Sequence, residues 1–169
     1  MRVDARTRYE GKFQWLEPSL ADGERGRLSD AAARSLFGEG GYWSMTVAEF
    51  FNALNGDASV LIRDDGKSVF DVYAIKGFDQ FVKDFTDAMA RLTPARTSQE
   101  AMAAASCVKM TFEQSLYVFA RAYFGLPSFG MVDDLPLADI LLAKTDAYNK
   151  AVFDRAMINM ASKKKGARQ

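Results

Sequence analysis

Apolar residues recur with helical spacing along most of the chain after residue 46. A first stripe consists of Val47, Phe50, Phe51 and Leu54. A second consists of Phe78, Phe81, Val82, Phe85, Met89 and Leu92. Positions i, i+3, i+4 and i+7 lie on one face of an α-helix, so each stripe predicts an amphipathic helix with one buried side.

Capping signals mark where several helices begin. A threonine is followed three residues later by Glu or Gln at Thr46 and Glu49, Thr97 and Glu100, and Thr111 and Gln114. In this pattern each side chain accepts a hydrogen bond from the other residue's backbone amide, which predicts three helix starts. Pro136 suits the first turn of a last helix, because its missing N–H is not needed there.

The helix predicted from Thr111 is apolar nearly all round, and the last helix carries a long apolar stripe. A helix of the first kind is normally buried on several sides. We therefore expect both helices to line an aromatic main core. The expected core residues from this part of the chain are Phe112, Leu116, Phe119 and Tyr148.

Residues 59–62 and 69–75 are rich in β-branched and aromatic side chains and flank Asp65 and Gly66. An Asp-Gly pair readily adopts the positive φ of a tight hairpin turn. The pattern predicts one β-hairpin near residues 59–75. The expected fold is thus α+β and mainly α, with about five to six helices around an aromatic core.

The first 41 residues have a different pattern from the rest. Tyr9, Phe13 and Trp15 fall on odd positions, which is typical of a strand with one apolar face. Ser29 predicts the cap of a short helix over residues 30–37, ended by Gly38. We interpret residues 1–41 as an arm that packs either on its own domain or on a neighbouring copy. Residues 42–162 are the predicted helical domain, and residues 163–169 a basic disordered tail.

Composition restricts the class of protein. The 169 residues, 49% of them hydrophobic, fit one globular domain. The formal net charge is zero, so the whole molecule creates no field that would attract nucleic acid or an anionic membrane. The single cysteine fits a reducing compartment, and no apolar run is long enough to span a bilayer. We expect no membrane partner and a cytoplasmic location, or incorporation in a particle assembled there.

Partial motifs do not add up to an active site. Gly66, Lys67 and Ser68 resemble the end of a phosphate-binding loop, but position 61, where a glycine is needed, is Leu61. Ser106 and Lys109 have the spacing of an acylating Ser-Lys pair without its companion motifs. Histidine is absent, so Cys107 lacks the general base that usually generates a catalytic thiolate.

The carboxylates do not predict a metal site either. They occur as Asp64 with Asp65, and as Asp133 with Asp134 and Asp139, without EF-hand spacing. We therefore expect no catalytic residue, no cofactor and no bound metal. The chain is not expected to be an enzyme.

The function expected from these observations is a non-catalytic protein for protein–protein interaction or assembly. It would be a subunit or accessory factor of a larger particle, such as a viral or prophage particle, and would bind a protein partner or a second copy. Aromatic residues outside the helical stripes are the expected contacts, because buried aromatics anchor interfaces. They are Tyr9, Phe13, Trp15, Tyr42 and Trp43.

Two alternatives belong to other classes. A nucleic-acid-associated accessory protein would bind phosphates through the basic residues of its two ends, Arg2, Arg6, Arg8, Lys163, Lys164 and Lys165. A small enzyme would use carboxylates and tyrosines, namely Asp133, Asp139, Tyr123 and Tyr148.

Overall fold

A computed structural model describes residues 22–63 and 69–166, and this part of the chain is mainly α-helical. Its α-helices are α1 (Asp22–Phe37), α2 (Val47–Leu54), α3 (Val69–Arg91), α4 (Ser98–Ala105), α5 (Phe112–Phe124) and α6 (Leu137–Gly166). Short 3₁₀ helices span Gly41–Ser44, Ala58–Leu61 and Phe129–Val132. The predictions of a mainly helical fold and of about six helices are confirmed.

All three predicted capping boxes form. At the start of α2, the Thr46 hydroxyl accepts a hydrogen bond of 3.2 Å from the Glu49 amide. The Glu49 carboxylate accepts one of 2.8 Å from the Thr46 amide. The boxes that begin α4 and α5 have the same two bonds. Each box satisfies two amides that a helix start would otherwise leave without a partner.

The aromatic core is centred on α2 and α3. The Phe50 ring lies 5.2 Å from Phe85, 5.8 Å from Phe78 and 6.3 Å from Phe81. The helix α5 contributes Leu116 and Ala120, and α6 contributes Leu137 and Ile140.

The expected core is therefore only partly confirmed. Leu116 is buried, Phe112 is 36% exposed, and Phe119 and Tyr148 are half-buried. Only Leu116 and Ala120 of α5 are fully buried, because the centre of the core is occupied by the aromatic rings of α2 and α3.

Backbone hydrogen bonds tie the start of α6 to the start of α2. The Val47 amide donates to the Leu135 carbonyl oxygen at 3.0 Å, and the Leu137 amide donates to the Met45 carbonyl oxygen at 2.9 Å. The side chains of Met45, Val47 and Leu137 are fully buried at this junction. Breaking these bonds would leave buried backbone N–H and C=O groups unpaired, which costs free energy. The junction therefore fixes the position from which α6 extends.

The predicted β-hairpin is wrong. Residues 58–61 form a 3₁₀ helix, and the second predicted strand is the first part of α3. The predicted turn residues 64–68 lie outside the described residues. The apolar positions Val72 and Ile75 continue the helical stripe through Phe78, and all three are buried on α3. Packing of this face overrides the strand preference of β-branched residues.

The segment before residue 42 packs on its own chain where it is described. Here α1 runs antiparallel to α3, because Ser29 lies beside Gly77 whereas Ser35 lies near Phe70. Ala32 and Ala33 are buried in this contact. The helix is longer than the predicted 30–37 but ends as expected at Gly38, whose φ is +87°. A domain boundary at residue 41 stays a prediction.

Part of the expected tail, residues 163–166, is helical, and the prediction of a disordered tail over residues 167–169 lies outside the described residues. The helix α6 extends through Gly166 and so includes Lys163, Lys164 and Lys165 in its backbone. Helix propensity explains the extension, since lysine, alanine and methionine favour helix without any packing.

Candidate interaction surface

Most of the residues predicted to bind partners cannot be placed. Tyr9, Phe13 and Trp15 lie outside the described residues, and so do Arg2, Arg6 and Arg8. For these six residues the predicted interface and nucleic-acid roles stay predictions.

Tyr42 and Trp43 contact their own core. The Tyr42 hydroxyl donates a hydrogen bond to the carbonyl oxygen of Ala74, and its ring stacks on Phe81 at 5.3 Å. The Trp43 ring packs edge-on against Phe81 at 4.9 Å and is half-buried. Burial, together with the negative charges of Asp79 and Asp30, raises the pKa of Tyr42 well above its usual range. In this structure both rings stabilise the fold.

Two residues of the enzyme alternative, Asp133 and Tyr123, form separate tyrosine–carboxylate hydrogen bonds. The Tyr117 hydroxyl donates to the Asp133 carboxylate, and the Tyr123 hydroxyl donates to Asp146 at 2.7 Å. Burial and the bond to Asp133 raise the pKa of Tyr117, and the bond to Asp146 raises that of Tyr123. A raised pKa keeps a phenol neutral, so these tyrosines act as hydrogen-bond donors that tie α5 to its neighbours.

The other two residues of that alternative are not drawn into these pairs. Asp139 is exposed in the first turn of α6, and Tyr148 is half-buried along the same helix. Within residues 22–63 and 69–166, His, Cys, Asp and Glu do not form a group of three or more that could hold a metal ion.

The outer half of α6, residues 152–160, exposes large apolar side chains. Phe153 and Ile158 are each 64% exposed. The exposed set is Val152, Phe153, Met157, Ile158 and Met160. Single exposed apolar residues are ordinary, but a contiguous group of this kind is typical of a binding surface.

The two sides of this outer half differ. Arg155 faces α4 and the segment before it: its guanidinium pairs with Glu100 of α4 at 3.2 Å and donates to the carbonyl oxygen of Ala95, which precedes α4, at 2.6 Å. At 100° per residue, Phe153 and Met157 lie on the opposite side of the helix. Met160 follows on the same side, which completes the i, i+4, i+7 spacing of a helix that binds through one face. We call Phe153, Met157 and Met160 the α6 row.

A second apolar surface lies on the outer side of α5. Val118 and Phe129 are 44% and 45% exposed and line two adjoining open hollows of about 440 Å³ and 560 Å³. The Arg121 guanidinium lies over the Phe129 ring at 4.6 Å and lines the first hollow. Glu113 and Tyr117 line the second hollow. We call the two hollows together the α5 groove.

Charge is divided unequally along the chain. Residues 151–169 contain five basic residues and one acidic residue, a net charge of +4. The chain as a whole is neutral, so residues 1–150 carry −4. The outer half of α6 therefore leads into a basic segment of the sequence, whereas the sequence before it is acidic in sum.

The sequence itself indicates the α6 row, because its three residues lie off the buried apolar stripe of the last helix. The apolar stripe of the last helix was expected to face the core through Tyr148. Phe153, Met157 and Met160 lie on the other side of this helix. Apolar residues that are off the buried stripe of a long helix indicate a second contact face.

Comparisons with protein-family models, with curated proteins and with solved structures find no match to this chain. Among the residues described, no helix has both the length and the apolar character needed to cross a bilayer.

Proposed function

We propose that the protein is a non-catalytic interaction protein, a subunit or accessory factor of a larger assembly, and that it binds protein partners through the outer half of α6. The exposure of five large apolar side chains between residues 152 and 160 carries this proposal. Leaving apolar area in water costs about 25 cal/mol per Å², so covering these side chains favours association.

The placement of this surface supports the same function. The outer half of α6 extends from a rigid junction at Met45 and Leu137, and Arg155 holds it against α4. A binding surface on a regular helix loses little conformational entropy on association. Phe153 and the methionines also match the residue types enriched at the centres of interfaces.

The test compares a double variant with a charge-matched control. Phe153→Asp with Met157→Asp places two carboxylates on the α6 row. Asn159→Asp with Ser162→Asp adds the same charge to exposed positions off the row. The apparent mass of each chain is measured by sedimentation in extracts of the cells that produce it.

We expect the wild type and the control to sediment in complexes larger than the 18.7 kDa monomer, and the row variant to sediment as a monomer. Monomeric sedimentation of all three would contradict the proposal. If nuclease treatment alone reduces the wild type to a monomer, the nucleic-acid alternative replaces it.

A further inference from the structure

We propose that the α6 row of one copy binds the α5 groove of a second copy, so that copies of this chain associate head to tail. The inference rests on the proposed function and names the partner as the chain itself. The two surfaces are separate on each copy, and they are complementary in shape and in charge.

The shapes of the two surfaces are complementary. The α6 row is a convex line of one phenylalanine and two methionines on a helix. The α5 groove is concave, with Val118 and Phe129 shared by its two hollows. A helix that binds in an apolar groove uses side chains at i, i+4 and i+7 as anchors, which is the spacing of the row.

The charges favour the same pairing. Glu113 lines the groove, and Asp133 is adjacent through its bond with Tyr117. The sequence that follows the α6 row holds Lys163, Lys164 and Lys165. Arg121, in the other hollow of the groove, lies over Phe129 and donates to the Leu126 carbonyl oxygen at 3.3 Å. A basic helix end that enters from the Glu113 side meets opposite charge.

The geometry requires a second copy. The 30 residues of α6 form a helix of about 45 Å that runs along one side of α5. Contacts of Lys144 with Phe119 and of Tyr123 with Asp146 define that side. Val118 points away from the core, on the face of α5 opposite Leu116. A continuous helix cannot turn back to place Met157 in the groove of its own chain.

The pairing has a consequence for assembly. Donor and acceptor surfaces differ, so the contact is heterologous and leaves one free donor and one free acceptor on a pair of copies. Such contacts close into rings or extend into filaments, depending on the rotation between copies. Either outcome suits a component of a larger particle.

A mixing experiment tests the inference. Phe153→Asp removes the donor and keeps the groove, whereas Val118→Asp removes the groove and keeps the donor. Asn159→Asp, off the row, is the matched control. Mass is measured by light scattering on purified full-length chains across a wide range of concentrations, and circular dichroism checks that each variant folds. Phe129→Ser replaces Val118→Asp if the latter does not fold.

We expect the wild type and the control to self-associate, and each variant alone to associate at least roughly tenfold more weakly. An equimolar mixture of the two variants should recover a species of twice the monomer mass, because one donor and one groove remain intact between them. High salt should weaken this species, since screening reduces the attraction between the basic end and the acidic residues at the groove.

Three results would overturn the inference. The first is a wild type that stays monomeric at every concentration. The second is a groove variant that associates like the wild type while the donor variant does not, which indicates pairing between α6 helices. The third is a mixture that stays monomeric. If the pure wild type is monomeric but the row variant still leaves its cellular complex, the proposed function stands and only the head-to-tail pairing fails.

Discussion

Arg155 and Glu100 form an ion pair of 3.2 Å that joins the outer half of α6 to α4. Glu100 also belongs to the capping box that begins α4, so one carboxylate serves both the helix start and the contact with α6. Hydrogen bonds to Thr97, and then the positive charge of Arg155, hold the pKa of Glu100 below its usual range. The short helix α4 thereby braces the side of α6 that the row does not use.

Replacing Arg155 by alanine should loosen this brace with little loss of global stability. Exposed ion pairs contribute only about 0.2 to 1 kcal/mol, so the melting temperature should hardly change. Amide hydrogen exchange in residues 150–162 should become faster, because local opening no longer breaks the contacts with Ala95 and Glu100. Arg155→Lys, which keeps the positive charge, is the comparison. If Arg155→Ala leaves the exchange rate of residues 150–162 unchanged, α4 does not brace α6.

Phe85 is the position where truncation should cost most. It is fully buried and packs against Phe50 and Phe81. Phe85→Ala should lower the free energy of unfolding by about 3 to 5 kcal/mol, as removal of a buried aromatic ring does. Phe153→Ala, the exposed control, should stay within about 0.5 kcal/mol of the wild type. Urea denaturation measures both, and equal losses would contradict the placement of the core.

Gly77 tests whether α1 packs on α3 as described. A Cβ at this position would lie 2.7 Å from the Ser29 Cβ and 2.7 Å from the Tyr42 hydroxyl oxygen. Gly77→Ala should therefore destabilise the fold by about 1 to 3 kcal/mol, despite alanine's better helix propensity. The matched control is Gly26→Ala, where nothing lies within 4 Å and alanine should stabilise by up to about 1 kcal/mol. Thermal denaturation showing a gain at both positions would mean that α1 does not contact α3.

The buried Tyr42 hydroxyl should make stability sensitive to alkaline pH. Its pKa is raised in the folded state, so its contribution is fully present at pH values below about 10, the pKa of tyrosine in the unfolded state. That contribution is lost as the pH rises further, because the unfolded state ionises more readily. Tyr42→Phe should be less stable than the wild type at about pH 8, and the difference should shrink by about pH 11. A constant difference in urea denaturation would contradict the raised pKa.

Local patterns predicted helix boundaries well. The three capping boxes need only residues three apart, and the stop at Gly38 needs a single residue with positive φ, here +87°. The α2 and α3 stripes were also visible, since Phe50, Phe81 and Phe85 each have apolar neighbours at helical spacing.

Long-range packing could not be predicted from the same patterns. Val72 and Ile75 were interpreted as strand residues because β-branched side chains favour strands, whereas contacts across the core decide their state. The sequence does not show that the α2 and α3 rings occupy the centre and leave Phe112 at the rim. For the same reason Trp43 looked like an interface residue, although its ring packs on Phe81. The sequence places Phe153, Met157 and Met160 off the buried stripe of α6, but only the structure shows that their side chains are exposed.

The central claim is that the outer half of α6 serves association and not the stability of its own domain. The most direct measurement records the urea midpoint at low protein concentration and the sedimentation coefficient at high protein concentration, for Phe153→Asp and the wild type from the same preparations. At a concentration low enough for the wild type to be monomeric, Phe153→Asp should have the same urea midpoint as the wild type. At high concentration, its sedimentation coefficient should fall to the monomer value. A lowered midpoint with unchanged sedimentation would contradict the claim and would place Phe153 in the folded core.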